Sequence, residues 1–172
     1  GITGQRTEVR RCLLPEAKLF GRGLLQPVNG AGDRRSWLAT AFAAAPPVSQ
    51  YLANAASLDP RLAPFVQLQD VSLDWQRLSI DTTVKNALYN FSRRMVTVKS
   101  PWPAVVLAGA RGVGRAQAAE AVCRELGIPS LLRIDLDALR ASGENSNELI
   151  KALLLQQRLH GAGLYLAGFE SL

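Results

Sequence analysis

The pattern of apolar and polar positions divides the chain into a mainly helical N-terminal part and a C-terminal part in which strands and helices alternate. In the first part, Thr7–Phe20 and the stretch that opens at Pro46 have helical spacing, and Gly23–Val28 and Arg35–Ala39 have the character of strands. The pair Asn29-Gly30 between these strands favours the positive φ angles of a tight hairpin turn. We therefore predict helices combined with a two-stranded ribbon.

A further helix is predicted to begin at Asp81, whose carboxylate is a good N-cap, and to extend as far as Met95. The elements that follow are predicted to be strand 104–108, a glycine-rich turn over 109–114, helix 116–126, strand 131–136, a helix that starts at 146 or 147 and ends at 160, and strand 163–167. This order is typical of a parallel sheet in the α/β class. Strand 104–108 is wholly apolar, so we expect it to be buried on both faces.

These patterns predict three regions. Residues 1–65 form a mainly α, winged-helix-like region, residues 66–80 an irregular polar linker, and residues 81–172 an α/β domain with flanking helices. The sequence does not begin with Met, so we expect the chain to be processed or cut from a longer protein.

Composition narrows the classes of function. The 172 residues include no apolar stretch long enough for a membrane-spanning helix and no signal-peptide core near the start, so we expect a cytoplasmic protein without a membrane partner. A single His and two distant cysteines, Cys12 and Cys123, argue against a zinc site. Asp135 and Asp137 follow a predicted strand, where they either form a metal pair or cap the next turn; capping is the preferred interpretation.

The net charge of +6 is unevenly distributed. Residues 1–35 contain seven basic and three acidic side chains and residues 81–103 contain four and one, whereas residues 104–172 contain seven of each. Such a basic N-terminal region is compatible with nucleic-acid binding or with contact to an acidic protein. For the first alternative, the candidate phosphate contacts are Arg10, Arg11, Arg34 and Arg35.

The clearest chemical signal is the glycine-rich turn between a predicted strand and a predicted helix. Its candidate nucleotide-binding residues are Gly109, Ala110, Arg111, Gly112, Val113, Gly114, Arg115 and Ala116. Glycines at such a junction let backbone N–H groups converge on phosphate oxygens, and the helix adds the positive end of its dipole. The P-loop pattern G-x-x-x-x-G-K-[ST] is met at both glycines, but Arg115 replaces Lys and Ala116 replaces the hydroxyl residue that holds Mg²⁺. A Rossmann-type fingerprint fits less well because Gln117 takes the place of its third glycine.

The run 109–139, with strand 133–136 and the segment 164–170, resembles the first half of an AAA+ ATPase domain. Together with Leu-Asp-Pro-Arg-Leu-Ala-Pro at 58–64 and His-Gly-Ala-Gly-Leu-Tyr-Leu at 160–166, the chain resembles the large AAA+ proteins encoded with phage tail-like contractile injection systems. In that family a winged-helix region precedes two ATPase domains, the first of them degenerate. The resemblance implies ATP as the ligand. It also implies as partners an active C-terminal ATPase domain of the same protein, like subunits in a ring, and proteins of the injection particle.

The same resemblance implies that this part of the protein does not hydrolyse ATP, although the full-length protein is expected to be an ATPase. In the family, the third strand ends in two carboxylates, one for Mg²⁺ and one for the attacking water. The matching residues here are Ala167 and Gly168. Glu170 is either a displaced acid or an ordinary loop carboxylate. We therefore expect no catalytic residue and no Mg²⁺ site. A winged-helix nucleic-acid-binding protein with a vestigial P-loop is the alternative function.

Overall fold

The computed structural model describes residues 11–12, 14, 16–28, 40–53, 58–97, 104–110, 112–143 and 146–169. These residues form six helices and five strands, which cluster into two compact units, residues 1–63 with 144–159 and residues 64–143 with 160–172. In chain order, the elements are α1 (Lys18–Gly21), β1 (Leu25–Pro27), β2 (Phe42–Ala44), α2 (Pro46–Leu52), β3 (Val66–Asp70), α3 (Thr82–Val96), α4 (Arg115–Glu125), β4 (Ser130–Asp135), α5 (Leu136–Ala141), α6 (Ser146–His160) and β5 (Gly163–Ala167).

The first unit contains a two-stranded antiparallel ribbon. β1 pairs with β2 so that Leu25 lies opposite Ala44, and the ring of Phe20 meets the ring of Phe42 edge to face at 5.0 Å. The first predicted strand and the helix after Pro46 are confirmed. The predicted strand 35–39 and the turn before it lie outside the described residues, as do residues 7–10, 13 and 15 of the predicted helix 7–20. The observed partner of β1 is β2.

An ion pair between a buried carboxylate and an exposed guanidinium organises the residues that follow α2 in the first unit. Asp59 is only 4% exposed, and its carboxylate accepts hydrogen bonds from the backbone N–H of Arg61 at 3.0 Å and from the guanidinium at 3.2 and 2.7 Å. The side-chain hydrogen bonds from Arg61 are the main reason why the pKa of Asp59 lies below its ordinary value. This local turn brings Leu62 into the core.

The second unit contains a three-stranded mixed sheet in the order β3-β4-β5. β4 and β5 are parallel, whereas β3 lies antiparallel to β4, with Val66 opposite Ile134 and Asp70 opposite Ser130. The expectation of an irregular linker over residues 66–80 is wrong at Val66–Asp70, which completes the sheet. β3 covers one edge of the apolar central strand β4. Because β3 itself lies at the edge of the sheet, an alternating pattern of buried and exposed residues, with Gln67 exposed, is sufficient for it.

The prediction that residues 104–108 form a doubly buried strand is wrong. No ladder among the described residues includes them, and Val106 is 82% exposed. An apolar run becomes a strand only where a neighbouring strand receives its N–H and C=O groups, and no described strand pairs with these residues. The described structure is therefore mixed α/β, as expected at the level of fold class, but its only parallel pair is β4 with β5.

The remaining predicted elements of the second unit are confirmed. Asp81 caps α3 by accepting hydrogen bonds from the N–H groups of Thr83 at 2.9 Å and Val84 at 3.1 Å. α4, β4 and β5 lie within one residue of their predicted bounds. Within the part of the chain that the structure describes, no helix is both long and apolar enough to cross a membrane.

Candidate nucleotide-binding site

The site is built around helix α4, which packs on β4 and β5. Near its C-terminal end, Cys123 lies against the first residue of β5, where a Cβ added to Gly163 would lie 2.7 Å from the cysteine sulfur. Because this end of α4 lies beside the amino end of β5, the helix N-terminus is directed toward the carboxyl ends of the parallel strands. Burial, with a smaller effect of the Glu120 charge, raises the pKa of the Cys123 thiol to about 11, so Cys123 is a packing group.

The glycine-rich turn forms the N-terminus of α4. Gly109, Gly112 and Gly114 all have positive φ angles, of 151°, 84° and 89°. Gly114 is the N-cap residue, and its carbonyl oxygen accepts the first hydrogen bond of the helix from the N–H of Ala118 at 2.8 Å. Its left-handed conformation is one that residues with a Cβ rarely adopt, which gives a physical reason for glycine here.

The start of α4 differs from the starts of α3 and α5 in the same unit. Asp81 caps α3 and Asp135 caps α5 through its carboxylate, which accepts a hydrogen bond from Ala138 N–H at 3.0 Å. By contrast, the N-cap residue of α4 is Gly114, which has no side chain to cap the helix. The first turn of α4 also contains no acidic residue, as in α3. The donor groups of its first turn therefore have neither a carboxylate nor a hydroxyl from their own cap residue.

Arg115 begins α4, at the end where the helix dipole disfavours a positive side chain. A cation at a helix N-terminus whose N-cap residue has no side chain suits an anion, since the backbone donors, the dipole and the guanidinium all attract negative charge. Of the other predicted binding residues, Ala110, Gly112 and Val113 are exposed, and Ala116 is half-buried. Arg111 lies outside the described residues.

The second part of the predicted site is the carboxyl end of β5, where the two positions expected to carry carboxylates are Ala167 and Gly168. Ala167 lies opposite Asp135 in the parallel ladder, and Gly168 follows with φ 80°. Asp137, from α5, approaches this turn: a Cβ added to Gly168 would lie 2.9 Å from its Oδ2. Capping by Asp135 is confirmed, and the described residues contain no group of three His, Cys, Asp or Glu suited to a metal ion. Glu170 lies outside the described residues.

The segment at residues 71–80, here called the strap, joins β3 to α3 and contacts α4. The carboxylate of Glu120 accepts hydrogen bonds from the backbone N–H groups of Ser72 at 2.9 Å and Leu73 at 2.8 Å, and Arg124 donates to the carbonyl of Ser72. Farther along, the indole N–H of Trp75 donates to Glu125 at 3.2 Å. The strap is thus fixed to the C-terminal half of α4.

The strap then reaches the N-terminus of the same helix. Leu78 is buried with Ala118 and Ala121, and Ile80 packs against this cluster. A Cβ added to Gly114 would lie 3.0 Å from Ile80 Cγ2 and 4.0 Å from the Ser79 carbonyl oxygen. Sequence patterning missed this part of the site. The signal in the sequence for this packing is the presence of the apolar residues Leu73, Leu78 and Ile80 within an otherwise polar stretch.

No protein-family model, curated protein or solved structure matches the chain. Its function is therefore inferred from the residues themselves and from their geometry.

Proposed function

We propose that the second unit binds the phosphate groups of a nucleotide, with ATP as the first candidate, at Gly109–Ala116, and that it does so without hydrolysing the nucleotide. The observation that carries the proposal is the start of α4: glycines with positive φ lead into a helix whose N-cap is glycine and whose first turn lacks acids and begins with Arg115. Backbone N–H groups in this arrangement bind phosphate oxygens, and a guanidinium adds a charge-assisted hydrogen bond.

The absence of hydrolysis follows from the side chains present at the other positions. Ala116 has no hydroxyl for Mg²⁺, and Ala167 and Gly168 have no carboxylate for the metal or for an attacking water. Phosphoryl transfer depends on groups that position the nucleophile and stabilise charge on the transferred phosphoryl group. Binding therefore has a structural basis in these residues, whereas turnover does not.

We further propose, from the family resemblance of the sequence, that this unit is the degenerate first ATPase module of a larger AAA+ protein associated with a phage tail-like contractile injection system. It would then have a structural or regulatory role beside an active ATPase domain and like subunits of a ring. The support is the resemblance of residues 58–64, 109–139 and 160–166 to sequences of that family.

Calorimetric titration of the chain with ATP, ADP and inorganic phosphate tests the binding proposal. We expect binding of ATP and ADP, with no phosphate released from ATP over hours. Calorimetry is preferable to Trp fluorescence because Trp75 is tied to Glu125, at the opposite end of α4 from the glycine turn. The absence of heat at millimolar ATP would contradict the proposal.

A nucleic-acid-binding role for the first unit is the second candidate. It is favoured by the antiparallel β1–β2 ribbon together with the exposed basic residues Arg11, Lys18 and Arg22. Phosphate contacts of this kind make affinity fall steeply with salt. Titration of duplex DNA at two salt concentrations distinguishes the candidates, because no binding at low salt would dismiss this second role.

A further inference from the structure

We infer that Ile80 is a positioning residue for the glycine-rich turn: its Cγ2 methyl group holds Gly114 in the left-handed conformation that starts α4. This inference rests on the proposed phosphate-binding function, because the conformation of Gly114 sets the direction of the first helical N–H groups. Ile80 lies outside the glycine-rich segment in sequence and approaches it from the strap.

Ile80 contacts the glycine-rich turn at Gly114. The space beside Gly114, where any other residue would carry its Cβ, is filled by Ile80 Cγ2, with only 3.0 Å between that methyl carbon and the Cβ position. The Ser79 carbonyl oxygen, at 4.0 Å, lies on the same side. An apolar group here excludes water from one side of the turn and limits rotation of the Gly114 backbone.

The local restraint on the N-cap of α4 is a backbone one. Gly114 has no side chain to close a capping hydrogen bond, and its carbonyl oxygen accepts from the N–H of Ala118, so packing from outside the helix adds a restraint that the cap residue itself does not supply. Glycine also loses more conformational freedom on ordering than any other residue. A turn rich in glycine therefore needs an external contact if its N–H groups are to be preorganised for a ligand.

The strap can provide such a contact because it is fixed at both ends to helices. Glu120 and Arg124 hold Ser72 beside α4, and the ammonium of Lys85, on α3, donates to the Leu78 carbonyl at 2.9 Å. Ile80 itself is packed against the Leu78–Ala118–Ala121 cluster. The same helix that begins with the binding turn thus anchors the segment that shapes this turn.

Two conservative substitutions isolate the methyl group concerned. Ile80→Val keeps Cγ2 and loses only Cδ1, whereas Ile80→Leu keeps the size of the side chain but removes the branch at Cβ that carries Cγ2. If Ile80 merely fills core volume, the valine variant is the more damaged of the two. If Ile80 positions the turn, the leucine variant is the more damaged.

The experiment measures two quantities in the wild type and both variants: exchange of the Ala118 amide hydrogen without ligand, and affinity for ATP by calorimetry. The Ala118 N–H reports on the turn because it donates to Gly114. For Ile80→Leu we expect Ala118 exchange to be about fivefold faster and ATP binding about fivefold weaker, the effect of one buried methyl contact. Ile80→Val should match the wild type in both measurements.

Equal protection of Ala118 in the leucine variant and the wild type would overturn the inference, as would a valine variant damaged as much as the leucine variant. Failure of the wild type to bind ATP would instead overturn the proposed function. In that case the exchange measurement, which needs no ligand, still decides whether Ile80 sets the conformation of the turn.

Discussion

The proposed function rests on the residues of two turns in the second unit, and these turns differ in the chemical groups that they present. The turn before α4 has glycines with positive φ, a glycine N-cap and the cation Arg115. The turn after β5 has Ala167 and Gly168 where carboxylates would be needed for hydrolysis, and Asp137 approaches it from α5. The comparison separates phosphate binding, which depends mainly on backbone geometry, from phosphoryl transfer, which depends on particular side chains.

The largest effect is expected from Gly114→Ala in the turn before α4. The new Cβ meets Ile80 Cγ2 at 3.0 Å and the backbone is left-handed, so we expect a loss of about 1–3 kcal/mol of unfolding free energy and no measurable ATP binding. Chemical denaturation and calorimetry provide the measurements. Gly127→Ala is the matched control at the other end of α4, where φ is also positive but no atom lies within 4 Å of the added Cβ; it should cost about 1 kcal/mol and leave binding intact.

Arg115 allows the charge of the same turn to be tested without altering its backbone. Arg115→Ala should weaken ATP binding by about tenfold or more, because a hydrogen bond to a charged group contributes about 1.5–3 kcal/mol. Arg115→Lys should recover part of that affinity. Arg158→Ala, which removes an exposed arginine from α6, is the control for net charge. Equal losses in Arg115→Ala and Arg158→Ala would show that only the overall charge matters.

For the turn after β5, the structure predicts a smaller effect on stability. Gly168→Ala should cost about 1–2 kcal/mol because φ is 80° and the added Cβ lies 2.9 Å from Asp137 Oδ2. When Asp137→Ala is also present, Gly168→Ala should reduce the unfolding free energy by less, because only the unfavourable backbone conformation then contributes. A double-mutant cycle measures the difference. Gly143→Ala, with positive φ and open space, isolates the backbone term. A cycle with no coupling would place Asp137 away from Gly168.

Local sequence signals account for the elements that were predicted correctly. Asp81 and the helical spacing after it specify α3, and the apolar run 163–167 after the stop at Gly161 specifies β5. In the site, the glycines with positive φ were likewise recognisable from their position before a helix. All of these features depend on residues a few positions apart.

The features that were missed depend on residues far apart in the chain. Residues 104–108 are as apolar as β5, but β5 has β4 beside it, whereas no described strand pairs with the earlier run. The polar composition of the strap predicts a linker, but the side chain that fixes it lies far away in the chain: Ser72 and Leu73 are bound by Glu120, 48 and 47 positions away. The approach of Asp137 to Gly168 likewise depends on the βαβ crossover that brings α5 next to β5.

The smallest effect is expected when Mg²⁺ is removed, and it tests the comparison of the two turns most directly. Mg²⁺ is held in nucleotide sites by one or two protein ligands together with phosphate oxygens. Because Ala116, Ala167 and Gly168 offer no such ligand, ATP affinity measured by calorimetry should change by less than about twofold between excess Mg²⁺ and a chelator. The double variant Ala116→Thr/Ala167→Asp introduces one hydroxyl and one carboxylate. This variant should bind ATP with an affinity that depends on Mg²⁺. A wild-type affinity that rises tenfold with Mg²⁺ would show that another side chain holds the metal, and Asp137, which approaches the turn after β5, would be the first residue to replace.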